Sequence, residues 1–84
     1  MIRLQFILSV YKARNDRPSP WDLLERIERH ETLEDALAAV RSDRERIGAE
    51  TPLKIRPRTD LVLIRETIHG WTWTWDIQPT TVNN

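Results

Sequence analysis

The sequence contains no cysteine and only two glycines and two histidines. Without cysteine there is no disulfide framework, no thiolate metal ligand and no thiol nucleophile. Glycine occurs only at positions 48 and 70, which excludes the glycine-rich loops that bind nucleotide phosphates. His30 and His69 have no third metal ligand in view, and no serine lies in a nucleophile-elbow motif. The sequence therefore predicts a protein that is not an enzyme and that carries no cofactor and no metal.

Long apolar runs are also missing. The first ten residues are largely apolar but are interrupted by Arg3, Gln5 and Ser9, which is not the pattern of a signal peptide. No run approaches the roughly 20 residues that a membrane-spanning helix needs. Together with the lack of cysteine, this predicts a cytoplasmic protein with no membrane partner.

The composition is that of one small soluble domain. Of the 84 residues, 39% are hydrophobic and 31% are charged, with 13 basic and 13 acidic side chains. The zero net charge is segregated along the chain, at +3 over 1–20, −4 over 21–51, +2 over 52–66 and −1 over 67–84. We expect a single domain over 1–78 and a flexible C-terminal tail over 79–84.

Three segments indicate the secondary structure. Apolar residues alternate from Ile2 to Tyr11, as in a strand with one buried face. The segment 33–47 predicts a helix, with Thr32 as its N-cap and Gly48 at its C-terminal end. The segments 60–68 and 71–78 flank His69-Gly70, the kind of two-residue loop that a tight β-hairpin uses.

These elements predict an α+β fold in two layers, an antiparallel sheet of about four strands with one main helix packed on one face. The segment 21–30 is left open. Its adjacent Leu23 and Leu24 break a strand's alternation, and Pro20 would suit the first position of a helix, yet a strand here would pair with the first strand. Helix and strand are equally supported.

The tryptophans of the predicted hairpin alternate at positions 71, 73 and 75. Exposed indoles could stack on bases or on a partner protein. The hairpin register instead places them on one face with Ile64 and Ile77, and this favours a core beneath the helix. Three tryptophans would overfill so small a core, so we expect Trp71 or Trp73 to reach an exposed edge.

The opposite face of the sheet is the leading candidate for function, because a single helix would leave it uncovered. Apolar side chains edged by arginine and tyrosine are typical of a protein-docking patch. The alternative is a second, minor core covered by 21–30. The predicted partner-binding residues are Ile7, Tyr11, Leu61, Leu63 and Arg65.

Two further kinds of partner are open. Clustered basic residues could contact the phosphates of a nucleic acid, and the open face or the edge strands could join two copies into a homodimer. The candidate nucleic-acid-binding residues form a basic rim, namely Lys12, Arg14, Arg17, Lys54, Arg56 and Arg58.

The chain resembles very small α+β proteins of phages and mobile elements, of the anti-CRISPR type. The resemblance rests on the order of a strand, a helix opening T-L-E-D-A-L at 32–37 and a hairpin with W-T-W-T-W at 71–75. It covers residues 2–77 at the level of architecture and carries over no functional residue. It implies stoichiometric binding, with the protein acting as an inhibitor that blocks a host or defence complex in the host cytoplasm.

Overall fold

A computed structural model describes residues 1–14, 23–53 and 62–83. Four strands form one antiparallel sheet in the order β2-β1-β4-β3, and the helix packs against one of its faces. The predicted two-layer α+β fold is therefore confirmed. In chain order the elements are β1 (Ile2–Arg14), β2 (Leu23–His30), α1 (Leu33–Ile47), β3 (Val62–Ile68) and β4 (Trp71–Asn83).

The C-terminal hairpin has the predicted register. Ile68 pairs with Trp71, Ile64 with Trp75 and Val62 with Ile77. In the turn, His69 and Gly70 both have positive φ, at 50° and 81°, the backbone that a two-residue hairpin loop with matching twist requires. Positions 60 and 61 of the predicted first strand lie outside the described residues.

The helix α1 has the predicted bounds. The Thr32 side chain accepts a hydrogen bond from the Asp35 backbone N–H at 3.1 Å, which satisfies one of the free donors of the first turn. At the other end Gly48 has a φ of 93°, and its N–H donates to the carbonyls of Arg44 and Glu45. Both ends of the helix are thus fixed by local sequence.

The segment left open by the sequence is a strand from residue 23 onward. β2 pairs antiparallel with β1, with Ile27 opposite Ser9 and Leu24 opposite Tyr11. The register shifts between Val10 and Tyr11, so β2 holds one extra residue, Glu25, at a bulge. The bulge places Leu24 and Ile27, three residues apart, on the same face of the sheet. Since β2 is itself a strand of the sheet, it does not cover the sheet face opposite to α1.

Residues 79–83 are not the flexible tail that the sequence predicts, because β4 continues through them. It pairs with β1 along the whole of that strand, and Asn83 lies opposite Ile2. The pairing likewise carries β1 past its predicted end at Tyr11 to Arg14. Beyond Ile77 no described strand pairs with the other side of β4, and such an edge tolerates Pro79. Only tertiary pairing could reveal this extension.

The core lies between α1 and the sheet. From the helix it takes Ala36 and Val40, both fully buried. The sheet contributes alternate residues of three strands, as its two-residue period requires. These are Leu8, Val10, Val62, Ile64, Ile68, Trp75 and Ile77.

Two polar contacts clamp the helix onto this layer. The buried Asp43 of α1 accepts a hydrogen bond from the Trp75 indole N–H at 3.1 Å. The neighbouring Arg44, also buried, donates through Nε and Nη2 to the two carboxylate oxygens of Glu66, at 2.9 and 2.8 Å. The helix is therefore held by directional bonds as well as by apolar contact.

Candidate functional site

The sheet face that α1 leaves uncovered carries a patch of apolar residues. We call it the open face. Because side chains alternate along a strand, Ile7, Ser9 and Tyr11 point away from the buried Leu8 and Val10. Pairing across the four strands arranges the open face in rows. Successive rows are Leu24–Tyr11–Thr74–Arg65, then Ile27–Ser9–Asp76–Leu63, then Arg29–Ile7–Gln78.

Three large hydrophobic side chains on this face are exposed. The exposed fraction is 51% for Leu24 and 59% for both Ile27 and Leu63. Ile7 and Tyr11 lie between them and are half-buried. Within residues 1–14, 23–53 and 62–83, no helix or strand packs over this patch. Leu24, Ile27, Ile7 and Tyr11 adjoin one another on β2 and β1, whereas Ser9 and Asp76 lie between Ile27 and Leu63. Scattered exposed leucines are ordinary, but several apolar side chains on one uncovered sheet face are typical of an interaction site.

The structure brings together four of the five predicted partner-binding residues. Ile7, Tyr11, Leu63 and Arg65 share the open face, whereas Leu61 lies outside the described residues. Arg65 is exposed, and its Nε donates to the buried Thr74 hydroxyl at 3.2 Å.

Two contributors to the patch, Leu24 and Ile27, were missed. Nothing in the local sequence settled whether 21–30 is a strand, so their face could not be assigned. Pairing of this segment with β1 was the signal that would have found them.

One acidic side chain, Asp76, sits in the central row. Its Oδ2 accepts a hydrogen bond from the Gln78 amide at 3.2 Å. Its Oδ1 is out of contact with solvent and accepts no hydrogen bond from any described residue. Burial raises the pKa of Asp76, and the hydrogen bond from Gln78 opposes this effect. An incoming donor can reach this carboxylate at Oδ2, whose contact with Gln78 is exposed.

A polar cluster borders the end of the open face beyond Ile7. Gln5 is buried, and its amide donates to Glu31 Oε1 at 2.9 Å. The other Glu31 oxygen lies 3.6 Å from an Arg3 nitrogen. The apolar patch therefore has a polar margin on this side, as protein interfaces commonly have.

The predicted basic rim is only partly within the described residues. Arg17, Lys54, Arg56 and Arg58 lie outside them. The Lys12 ammonium is 4.1 Å from the Trp71 ring centroid and 5.0 Å from that of Trp73, and the Arg14 guanidinium is 5.6 Å from Trp71. These distances are those of cation–π contacts.

The tryptophan ladder is divided between core and edge. Trp75 is fully buried, and Trp73 stacks against it with centroids 6.1 Å apart and planes inclined by 13°. Trp71 and Trp73 are half-buried, as expected of an edge. Since Lys12 and Trp75 both lie against Trp73, the ladder is a packed cluster and does not present open rings for stacking.

The remaining charged groups on the helix side of the sheet form structural pairs. Arg26 Nη2 donates to Asp43 Oδ2 at 2.7 Å, and its Nε donates to Glu28. Glu28 also lies 3.0 Å from His30 Nε2, and Arg46 pairs with Asp43. No group of three histidine, aspartate or glutamate side chains within the described ranges could hold a metal ion.

Neither the helix nor the comparisons with known proteins assign a function to the chain. The 15-residue α1 is too short and too polar to cross a bilayer, and the described residues hold no other helix. No family model, curated protein or solved structure matches this chain.

Proposed function

We propose that this chain is a protein-binding module that docks a partner on the open face of its sheet. The observation that carries the proposal is that exposed Leu24, Ile27 and Leu63 share one uncovered sheet face with the half-buried Ile7 and Tyr11. Burying these side chains against a partner would remove apolar surface from water, which is the main driving force of association. In this proposal the chain acts by binding its partner on this face and does not catalyse a reaction.

The surroundings of the patch support a protein partner over a nucleic acid. Arginine and tyrosine are enriched at protein interfaces, and both border the patch as Arg65 and Tyr11. The described residues of the basic rim, Lys12 and Arg14, lie at one end of β1 with their cations over indoles, on the face of the sheet opposite to the apolar patch. A nucleic acid would instead require cations along a groove.

The resemblance to the anti-CRISPR type refines the proposal to an inhibitor. In this form, the partner is a host or defence complex of the cytoplasm, and one copy of the chain blocks one working surface. A compact sheet that presents one preformed apolar face suits such blocking, because a rigid face loses little conformational freedom on binding.

Site-specific photo-cross-linking tests the proposal. The photoreactive residue p-benzoylphenylalanine replaces Ile27 or Leu63 in the full chain expressed in its native cell. We expect both positions to form a cross-link to the same protein. The control position is Ala38, which is exposed on α1 on the other side of the molecule. Equal cross-linking from Ala38, or none from the sheet positions, would contradict the proposal.

A matched pair of double variants gives a second readout. The variant Leu63→Thr with Arg65→Glu alters the open face, and Ala38→Thr with Arg41→Glu makes comparable changes on exposed helix positions. We expect the first pair to abolish capture of the cross-linked protein and the second to retain it. Undiminished capture by the open-face pair would exclude this surface.

The same experiments distinguish the other two partners. Cross-links between two copies of the chain would identify the homodimer as the occupant. Nucleic-acid binding through Lys12 and Arg14 predicts a gel shift that weakens steeply with salt, whereas apolar docking depends little on salt. No shift at low salt would exclude that alternative.

A further inference from the structure

Asp76 occupies an unusual place for an acidic side chain. It lies in the central row of the open face, directly between Ser9 on β1 and Leu63 on β3. Its Oδ1 is shielded from water and accepts no hydrogen bond from any described residue. Buried acceptors are normally paired, so an unpaired one at the centre of a docking surface requires an explanation.

The row geometry defines what surrounds this carboxylate. Neighbouring strands in a sheet lie about 4.8 Å apart. Leu63 is therefore one strand from Asp76, and Ile27 is two strands away on the other side. Both apolar side chains are 59% exposed. Asp76 thus lies between Ile27 and Leu63, which are roughly three strand spacings apart.

A partner covering this row would remove the remaining water from Asp76. A neutral donor would satisfy one lone pair but would leave the charge without a counterion in a low-dielectric interface. A lysine or arginine satisfies both needs, and charge-assisted hydrogen bonds are the stronger kind. The contact between Gln78 and Asp76 Oδ2 is exposed, so an incoming cation can reach the carboxylate at Oδ2 while Gln78 keeps or yields its bond. Resonance shares the negative charge between both oxygens, so a cation at Oδ2 neutralises the whole group.

We infer that the docking partner inserts one cationic side chain, a lysine or an arginine, between apolar side chains, and that Asp76 receives it. This inference rests on the proposed function and specifies the chemistry of the partner surface. The apolar neighbours of the cation cover Leu63 on one side and Ile27 on the other. Asp76 then provides specificity, because a partner without the cation leaves a buried charge unpaired.

Nuclear magnetic resonance titration with two small probes of matched shape tests the inference. Benzylguanidinium carries a cation beside an apolar ring, and benzylurea replaces the guanidinium by an uncharged group of the same outline. We expect benzylguanidinium to shift the backbone amide signals of Asp76, Gln78 and Leu63 with an affinity about five-fold or more above that of benzylurea. Asp76→Asn should remove the difference in affinity between the two probes. Asp35→Asn makes the same change at an exposed position of α1 and should leave that difference unchanged.

Each other outcome would overturn the inference. Equal responses to the two probes would show that the face does not select a cation. Guanidinium shifts confined to other acidic residues would place its binding elsewhere, and the absence of any shift would exclude a cation site. Concentration-dependent shifts of these amides without a probe would make a second copy the occupant. In the first three cases, cross-linking from Ile27 and Leu63 decides separately whether the proposed function stands.

Discussion

The indole N–H of Trp75 donates to Asp43 Oδ2, and this hydrogen bond joins the buried centre of β4 to the buried face of α1 over 3.1 Å. The same carboxylate oxygen accepts from Arg26 of β2 at 2.7 Å. A single aspartate therefore ties the helix both to the central strand and to an edge strand. Removing it would leave a buried indole donor and a guanidinium without their acceptor.

Replacing Asp43 should destabilise the fold. We expect Asp43→Ala to lower the free energy of unfolding by about 1–3 kcal/mol, since the buried Trp75 indole N–H would lose its acceptor. Asp43→Asn should cost less, because its amide oxygen can still accept from Trp75. Urea denaturation followed by tryptophan fluorescence measures both. The control is Asp35→Ala at an exposed position, and an equal loss there would refute the role of Asp43.

The Arg44–Glu66 pair should show strong energetic coupling. The guanidinium binds both oxygens of the carboxylate and also donates to the Thr51 backbone carbonyl at 2.7 Å. We expect Arg44→Lys to destabilise by about 1–2 kcal/mol, because an ammonium cannot make the two-pronged contact. A double-mutant cycle with Glu66→Gln measures the coupling. Strictly additive effects would show that the pair contributes only through its separate residues.

Asp76 should titrate above its ordinary range in the folded protein. Burial raises its pKa above the ordinary aspartate value of 3.8, so the folded state binds the proton more tightly than the unfolded state does. The stabilisation from this proton is complete below the unfolded pKa and is lost as the pH rises through the folded pKa. Titration of the Asp76 carboxyl carbon signal measures this directly, and a midpoint at or below 3.8 would contradict it.

The same shift predicts how Asp76→Asn affects stability. The variant stays neutral, so its stability relative to the wild type should improve as the pH rises from below the unfolded pKa of Asp76 to above its folded pKa. We expect a change of no more than about 0.5 kcal/mol, since solvent screens a half-buried group. Urea denaturation at pH values below and above that pKa measures the difference. A constant difference across this range would contradict the linkage.

Substitutions of the exposed open-face residues should leave the fold intact. We expect Ile27→Thr and Leu63→Thr each to change the free energy of unfolding by less than about 0.5 kcal/mol, because both side chains are 59% exposed and threonine suits a strand. Both should nevertheless weaken partner capture. The contrast is Val40→Thr in the core, which should destabilise strongly. Loss of folding in the open-face variants would instead make these residues structural.

Local sequence alone predicts the helix and the hairpin. Capping by Thr32, the left-handed Gly48 and the His69-Gly70 turn act over a few residues, so they can be read without knowledge of the rest of the chain. The hairpin turn also sets the register, and the register assigns Ile64 and Trp75 to the core face and Leu63 and Arg65 to the other. Two of the predicted docking residues, Leu63 and Arg65, share one face for this reason, and the two-residue alternation of β1 puts Ile7 and Tyr11 on one face of that strand.

Tertiary pairing decided the features that local sequence left open. Residue 23 onward is a strand because it pairs with β1, and β4 extends to Asn83 because β1 continues opposite it. These pairings join residues far apart in sequence, so no local pattern encodes them. They add Leu24 and Ile27 to the apolar patch and set Asp76 at its centre. The sequence by itself determined which residues could make a surface, and only the assembled sheet decided which of them lie side by side.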